Sequence, residues 1–91
     1  MRTIHYSKQF KKDYKRSKRQ GKRMAKLRYV IELLAHDKPL PDQFNDHALT
    51  GSFVGMRECH INPDWLLIYA YEAPNDLILV RLGSHANLFR Q

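Results

Sequence analysis

The chain reads as a single small α+β domain in the order β-α-α-β-β-β, a helical hairpin packed on a mainly antiparallel sheet. Three observations predict this. Residues 8–35 place apolar side chains at helical spacing, whereas three runs after residue 53 are rich in Ile, Leu, Val, Trp and Tyr, the composition of strands. Turn signals divide each half: Gly21 in the first, Asn62-Pro63-Asp64 and Ala73-Pro74-Asn75-Asp76 in the second. Finally, 91 residues leave room for one modest core, and no repeat, low-complexity stretch or linker interrupts them.

Each element has a local reason. Thr3–Tyr6 is a short first strand, and Ser7 a good N-cap for a helix from about Lys8 to Gln20. The apolar stripe of that helix is thin, Phe10 and Tyr14. Gly21 can take the left-handed conformation that closes it. A second helix from about Lys22 to Ala35 carries a wider stripe, Met24, Leu27, Ile31 and Leu34 with Val30. These apolar residues read as core. His36 sits where a cation suits a helix C-terminus, and His5 has no assignable partner. Pro39 and Pro41 end the helical region, and a polar loop containing His47 runs to Ser52, a length that usually signals function. Three strands follow: Val54–Ile61, Trp65–Tyr71 and Leu77–Gly83.

Charge is strongly polarised. Residues 1–30 hold 12 Lys/Arg against a single acid, Asp13, whereas residues 31–91 hold 4 against 8, so the net +7 conceals a basic third and an acidic remainder. Lys11, Lys12, Lys15, Arg16, Lys18, Arg19, Lys22 and Arg23 make a concentrated positive field with almost no Glu at i,i+4 to relieve it. Such a field attracts polyanions, above all nucleic acid, and equally suits an acidic protein partner. No apolar run approaches the roughly 20 residues of a membrane span. The first ten residues lack a signal-peptide pattern, and the lone Cys59 fits a reducing compartment; the expectation is a cytoplasmic protein.

In an up-down-up meander the first strand ends where the second begins, and the third ends at the same edge. His60, Asp64, Trp65 and His85 therefore converge at one end of the sheet. Two imidazoles and a carboxylate gathered this way are acid/base equipment. Cleavage of RNA by its own 2′-hydroxyl needs a base, an acid for the leaving 5′-oxygen and cations for the phosphorane. Histidine suits both proton tasks. Asp64 serves as an acid, orients an imidazole, or does no more than complete its turn. Arg81 is a candidate phosphate clamp, and Trp65 or Phe89 a surface on which an unpaired base stacks. No CxxC, HxxxH or HExxH pattern supports a metal, so neither metal nor cofactor is expected. Cys59 reads as a buried hydrophobe, because His60 beside it points to the opposite face of a strand.

The segment DHALTGSFVGMRECHINPDWLLIY, followed by LGSHANLF, resembles the YafQ group of bacterial type II toxins within the RelE/ParE superfamily. The likeness covers nearly the whole chain. It is sharpest in the block D-H-x-L-x-G-S-[FW]-x-G-x-R-[ED]-x-H-[IV]-x-P-D-W-[IL]-L-I-Y and in the ending G-[ST]-H-x-x-L-F. It implies a β-α-α-β-β-β toxin that enters the ribosomal A site and cuts mRNA there. It also implies a cognate acidic antitoxin that neutralises the toxin and, with it, represses their operon, so that operator DNA is met only through that complex. The family's histidines fall on His47, His60 and His85, its carboxylate on Asp64 and its flanking aromatics on Trp65 and Phe89. Phe53 stands where some relatives have tryptophan. The resemblance thus brings His47 into a site that the meander alone did not assign it to. Two rival readings remain: a ParE-like toxin that inhibits DNA gyrase without catalysis, and a basic module that binds nucleic acid without cutting it.

Overall fold

A computed structural model describes residues 1–89. The sheet has five strands, β1 (Thr3–Tyr6), β2 (His47–Ala48), β3 (Arg57–Asn62), β4 (Trp65–Glu72) and β5 (Asp76–Gly83), in the order β1-β5-β4-β3-β2. Only β1 and β5 run parallel; the other pairs are antiparallel, as the short turns between β3, β4 and β5 require. Helices α1 (Lys8–Arg19) and α2 (Met24–Ala35) cover one face of the sheet, and a short α3 (His85–Leu88) follows β5. The α+β class and the β-α-α-β-β-β succession read from the sequence are present, with β2 and α3 added to it.

The helical hairpin forms where its caps predict. Ser7 Oγ accepts from the Phe10 N–H at 2.9 Å, and Gly21, at φ 74°, makes the left-handed step that Cβ-bearing residues resist. The second helix begins at Met24, two residues later than expected, because Lys22 and Arg23 complete the turn. Helix α1 also finishes the sheet. Once β1 stops at Tyr6, the edge of β5 is left open, and side chains of α1 and its cap take over the pairing. Ser7 Oγ donates to the Val80 carbonyl at 2.6 Å, Asp13 Oδ2 accepts from the Leu82 N–H at 3.0 Å, and Arg16 Nη2 donates to the Leu82 carbonyl at 3.0 Å. Buried backbone groups at a sheet edge must be satisfied somehow, and here a helix does it.

The core has two parts. Between helices and sheet lie Phe10, Leu27, Val30, Leu34, Phe44, Ile61, Trp65, Leu67, Tyr69, Leu77, Leu79 and Leu82. On the other face Leu66, Ile68 and Leu88 pack with Leu49, Phe53, Met56, Val80 and Phe89. That second cluster explains a difference from the sequence reading. Residues 54–56 do not extend β3; they belong to a folded-back loop with single 3₁₀ turns at Asp42–Phe44 and Gly51–Phe53, and β2 forms within it. The loop lies over the sheet face that the helices leave bare.

Candidate active site

The alternation of β3 sets the site. Cys59 and Ile61 point into the helix-side core, so Glu58 and His60 point to the opposite face. β2 pairs His47 with Glu58, which places His47 beside them. At the sheet end shared by β3, β4 and β5, Asp64 lies in the β3–β4 turn and His85 opens α3. The His60 ring is 6.0 Å from the His47 ring and 5.7 Å from the His85 ring, centroid to centroid. Three imidazoles therefore form a row, with Phe89 beyond His85 at 6.4 Å and Phe53 against Phe89 at 5.6 Å.

His85 is positioned by a capped turn and by Asp64. Ser84 and Asn87 form a reciprocal cap: Ser84 Oγ accepts from the Asn87 N–H at 3.1 Å, and Asn87 Oδ1 accepts from the Ser84 N–H at 3.2 Å. Gly83 permits this turn, since a Cβ there would stand 2.9 Å from Arg16 Nη2 and 3.0 Å from Asn87 Cβ. Asp64 Oδ1 then accepts from the His85 backbone N–H at 2.9 Å and from its Nδ1 at 2.7 Å. The ring is thereby fixed with Nε2 outward. These two bonds, backbone first, hold the Asp64 carboxyl below the usual aspartate range. An ionised Asp64 is an orienting group, and a poor proton donor at neutral pH.

Glu58 was missed by sequence reasoning. Its side chain is only 5% exposed, and Oε1 lies 3.1 Å from His60 Nε2 and 3.3 Å from His47 Nε2. The signal was available: an acid two residues before a histidine on a strand shares its face. His47 Nδ1 also donates to the Asn45 carbonyl at 2.7 Å, so acceptors flank both its nitrogens. The loop carrying His47 is pinned by Asp46, which accepts from Tyr69 Oη at 2.5 Å and from Arg57 Nε and Nη2 at 3.3 Å each. The second oxygen of Glu58 is buried without a hydrogen-bond partner among the described residues. The ligand atoms of His47, Glu58 and His60 all lie within 4.8 Å of one another, a donor set that suits a borderline transition metal. Where the sequence patterns gave no metal motif, folding thus assembles a possible one.

Three expectations need correction. Trp65 does not face the site: it is 1% exposed, and its Nε1–H donates to Ser17 Oγ at 3.1 Å under α1. It reaches the right end of the sheet on the wrong face, so no base stacks on it. Arg81 is not a free phosphate clamp, because its guanidinium is engaged by buried Asp13, Nε to Oδ2 at 2.8 Å. Arg16 is likewise tied to Asp13 at 3.1 Å and to Leu82. Burial alone would push Asp13 upward, but the bonds from Arg81, the Leu82 N–H and Gln9 outweigh it, and its pKa is lowered. Lys11, Lys12, Lys15, Lys18, Arg19, Lys22 and Arg23 are exposed, as the charge pattern suggested. His5 pairs with Asp76 at 2.8 Å and His36 with Glu32 at 3.0 Å, both outside the row. Cys59 is fully buried, and burial pushes its thiol up, away from a reactive thiolate.

A basic helical hairpin thus covers one face of a small α+β sheet, and the other face carries a row of three histidines beside a carboxylate. The chain belongs to the YafQ family, bacterial toxins of type II toxin–antitoxin systems, whose family model matches residues 2–90. Among curated proteins it is 44% identical over 89 residues to the mRNA interferase toxin YafQ of Escherichia coli K12, covering 97% of this chain and 96% of that one. The crystal structure of the E. coli DinJ–YafQ complex contains a chain that superposes with a TM-score of 0.89 at 43% identity, covering 98% and 99% of the two chains. A metal-bound toxin from Helicobacter pylori superposes at 0.92, also at 43% identity, over 98% and 100%.

Proposed function

We propose that this protein is a ribosome-dependent mRNA endoribonuclease, the toxin of a type II pair. One observation carries the reading: three imidazoles in a row on one face, with Asp64 holding the His85 ring. His85 Nε2 takes the proton of an RNA 2′-hydroxyl, whose oxygen attacks the adjacent phosphorus. His60 protonates the departing 5′-oxygen, leaving a 2′,3′-cyclic phosphate and a free 5′-hydroxyl. His47, beside His60 in the row, orients the scissile phosphate and stabilises the phosphorane. Phe89, at the open end of the row, is the aromatic best placed to meet a base. The exposed lysines and arginines of the hairpin hold ribosomal RNA, and the likeness to a DinJ-bound YafQ supports an acidic cognate antitoxin as the other partner. With that antitoxin the protein represses its own operon. A gyrase inhibitor would have no need of the histidine row, which favours catalysis over that alternative.

The test is to induce the protein and map mRNA 5′ ends in cells, then repeat with purified mRNA with and without ribosomes. In-frame cuts that appear only with ribosomes support the reading. Intact message beside stalled DNA replication supports the gyrase alternative.

A second reading has its own observation: Glu58 Oε1 faces both His60 and His47, and its other oxygen is buried without a hydrogen-bond partner among the described residues. Together with the metal-bound Helicobacter relative, it supports binding of a transition metal by His47, Glu58 and His60. Titrating zinc or copper into the wild type and Glu58→Gln by calorimetry tests it, and equal affinities would exclude Glu58 as a ligand.

A further inference from the structure

The histidine face does not end at His60. β2 pairs with β3 only through Arg57 and Glu58, so the outer edge of residues 59–62 borders no strand among the described residues. It borders a groove of about 420 Å³ instead. Phe44 and Ile61 form the floor; Lys26 of α2, Gln43 and the Asn62-Pro63 turn form the walls; His60 stands within its lining. The volume falls within the roughly 300–1,000 Å³ of small-ligand sites. Its wall chemistry is specific. Lys26 Nζ donates to Asn62 Oδ1 at 2.8 Å and lies 5.8 Å from the Phe44 ring centroid. An ammonium has three N–H donors, so two remain for another acceptor. Asn62 Nδ2 and the exposed Gln43 carboxamide add donors and an acceptor of the kind that reads base edges.

From this we infer that the groove is a nucleotide subsite. It takes the nucleotide adjoining the scissile phosphate of single-stranded RNA: Lys26 holds its phosphate, and Gln43 and Asn62 address its base. The subsite therefore sets the sequence preference of cleavage, a role distinct from proton transfer. The inference rests on the endoribonuclease reading. A carboxamide pair arranged to hydrogen-bond one base makes others leave those groups unpaired, whereas a lysine on phosphate is indifferent to sequence.

The experiment uses the full chain on ribosomes programmed with an mRNA pool randomised across the A-site codon and its neighbours, with 5′ ends sequenced after a single turnover. Gln43→Ala and Asn62→Ala are expected to flatten the preference at one and the same nucleotide position by about fivefold. Lys26→Gln is expected to weaken binding evenly across sequences and to lower the log–log salt slope by about 0.7–0.9. Thermal melts accompany each variant; Gln43 is exposed, so its truncation decides the matter even if Asn62→Ala unfolds. If every variant keeps the wild-type profile and salt slope while the wild type cleaves, the subsite is wrong and the endoribonuclease reading stands. An even drop in rate with an unchanged profile in Gln43→Ala and Asn62→Ala makes the two carboxamides structural and overturns the subsite too. If the wild type leaves the RNA intact, both readings fall together.

Discussion

His85→Ala is the sharpest perturbation of the proposed chemistry. The imidazole is held by its Nδ1 on Asp64 at 2.7 Å, and its side chain is 55% exposed. Removing it deletes little buried surface, and Ala at the first helical position after the Ser84 cap is no worse a helix former, so folding should persist. A positioned general base or acid contributes about 10²–10⁴-fold, and His85→Ala is expected to lose that much single-turnover cleavage on programmed ribosomes. Asp64→Asn separates orientation from proton transfer. Asn still offers an oxygen to the His85 backbone N–H but no charge for the ring. Because the pair is open to solvent, about 10-fold is expected rather than the larger losses of buried dyads. The strongest check is the double variant. If Asp64 acts only through the His85 ring, Asp64→Asn costs almost nothing once His85 is alanine. Near-normal cleavage by His85→Ala would remove it as the base. Full additivity in the double variant would mean that Asp64 touches the reaction itself. A loss matched by weaker ribosome binding, measured in parallel, would make His85 a contact residue.

Other consequences follow from the same geometry. Neutralising Lys11, Lys12, Lys15 and Lys18 together should lower the log–log salt slope of ribosome binding by about 3 to 4, taking 0.7–0.9 per phosphate contact; an unchanged slope would rule out this face. Asp13→Asn should destabilise by about 2–3 kcal/mol, less than a fully buried pair because Arg81 and Arg16 are partly exposed, as read by urea unfolding. The pKa of Asp13 is depressed on folding, so its contribution is present above the unfolded aspartate range and is lost as pH falls through the lower folded value. The wild-type advantage over Asp13→Asn should accordingly vanish in acid melts. Trp65→Phe should lower the melting temperature, through the lost Ser17 bond and core volume, with RNA contacts unaffected. Zinc or copper should suppress cleavage by occupying the His47 and His60 nitrogens, and a chelator should restore it; activity unchanged under saturating metal would refute this.

Period and punctuation made the architecture legible. Ser7 and Gly21 bound a hairpin whose stripes face one way, and the turns at Asn62-Pro63-Asp64 and Ala73–Asp76 force antiparallel neighbours. The same meander argument brought His60, Asp64 and His85 to one edge, where they are found. β2 and α3 were not legible. β2 is two residues long, and α3 depends on a cap whose partner, Asn87, is unremarkable in sequence. His47 shows the limit most clearly. Nothing local joins it to the others; it arrives through a long loop pinned by Asp46 on Tyr69 and Arg57, contacts made across 23 and 11 residues.

Trp65 and Glu58 failed for one reason, the face of the sheet. The run Trp65–Tyr71 is apolar throughout, so its alternation carries no polar phase to say which side the helices cover. An edge argument places Trp65 near His60; only phase places it behind the sheet. Neighbouring β3 does carry that phase. Glu58 and His60 alternate with Cys59 and Ile61, and the pairing His60↔Leu66 puts Leu66, with Ile68, on the histidine face. Trp65, Leu67 and Tyr69 must then face the helices. The register of one polar strand thus decides both errors: it buries the tryptophan under α1 and sets Glu58 beneath two imidazoles. It also explains why the second face must be dry. Leu66 and Ile68 need cover, and the loop and α3 that supply it, through Phe53, Met56, Leu88 and Phe89, are the segments that deliver His47 and His85. Covering the sheet and assembling the histidine row are one folding event, so substitutions in Phe53 or Leu88 should impair cleavage without touching RNA. Circular dichroism of Leu88→Ala, with cleavage measured alongside, checks this: full activity in a variant whose α3 has unravelled would separate the two.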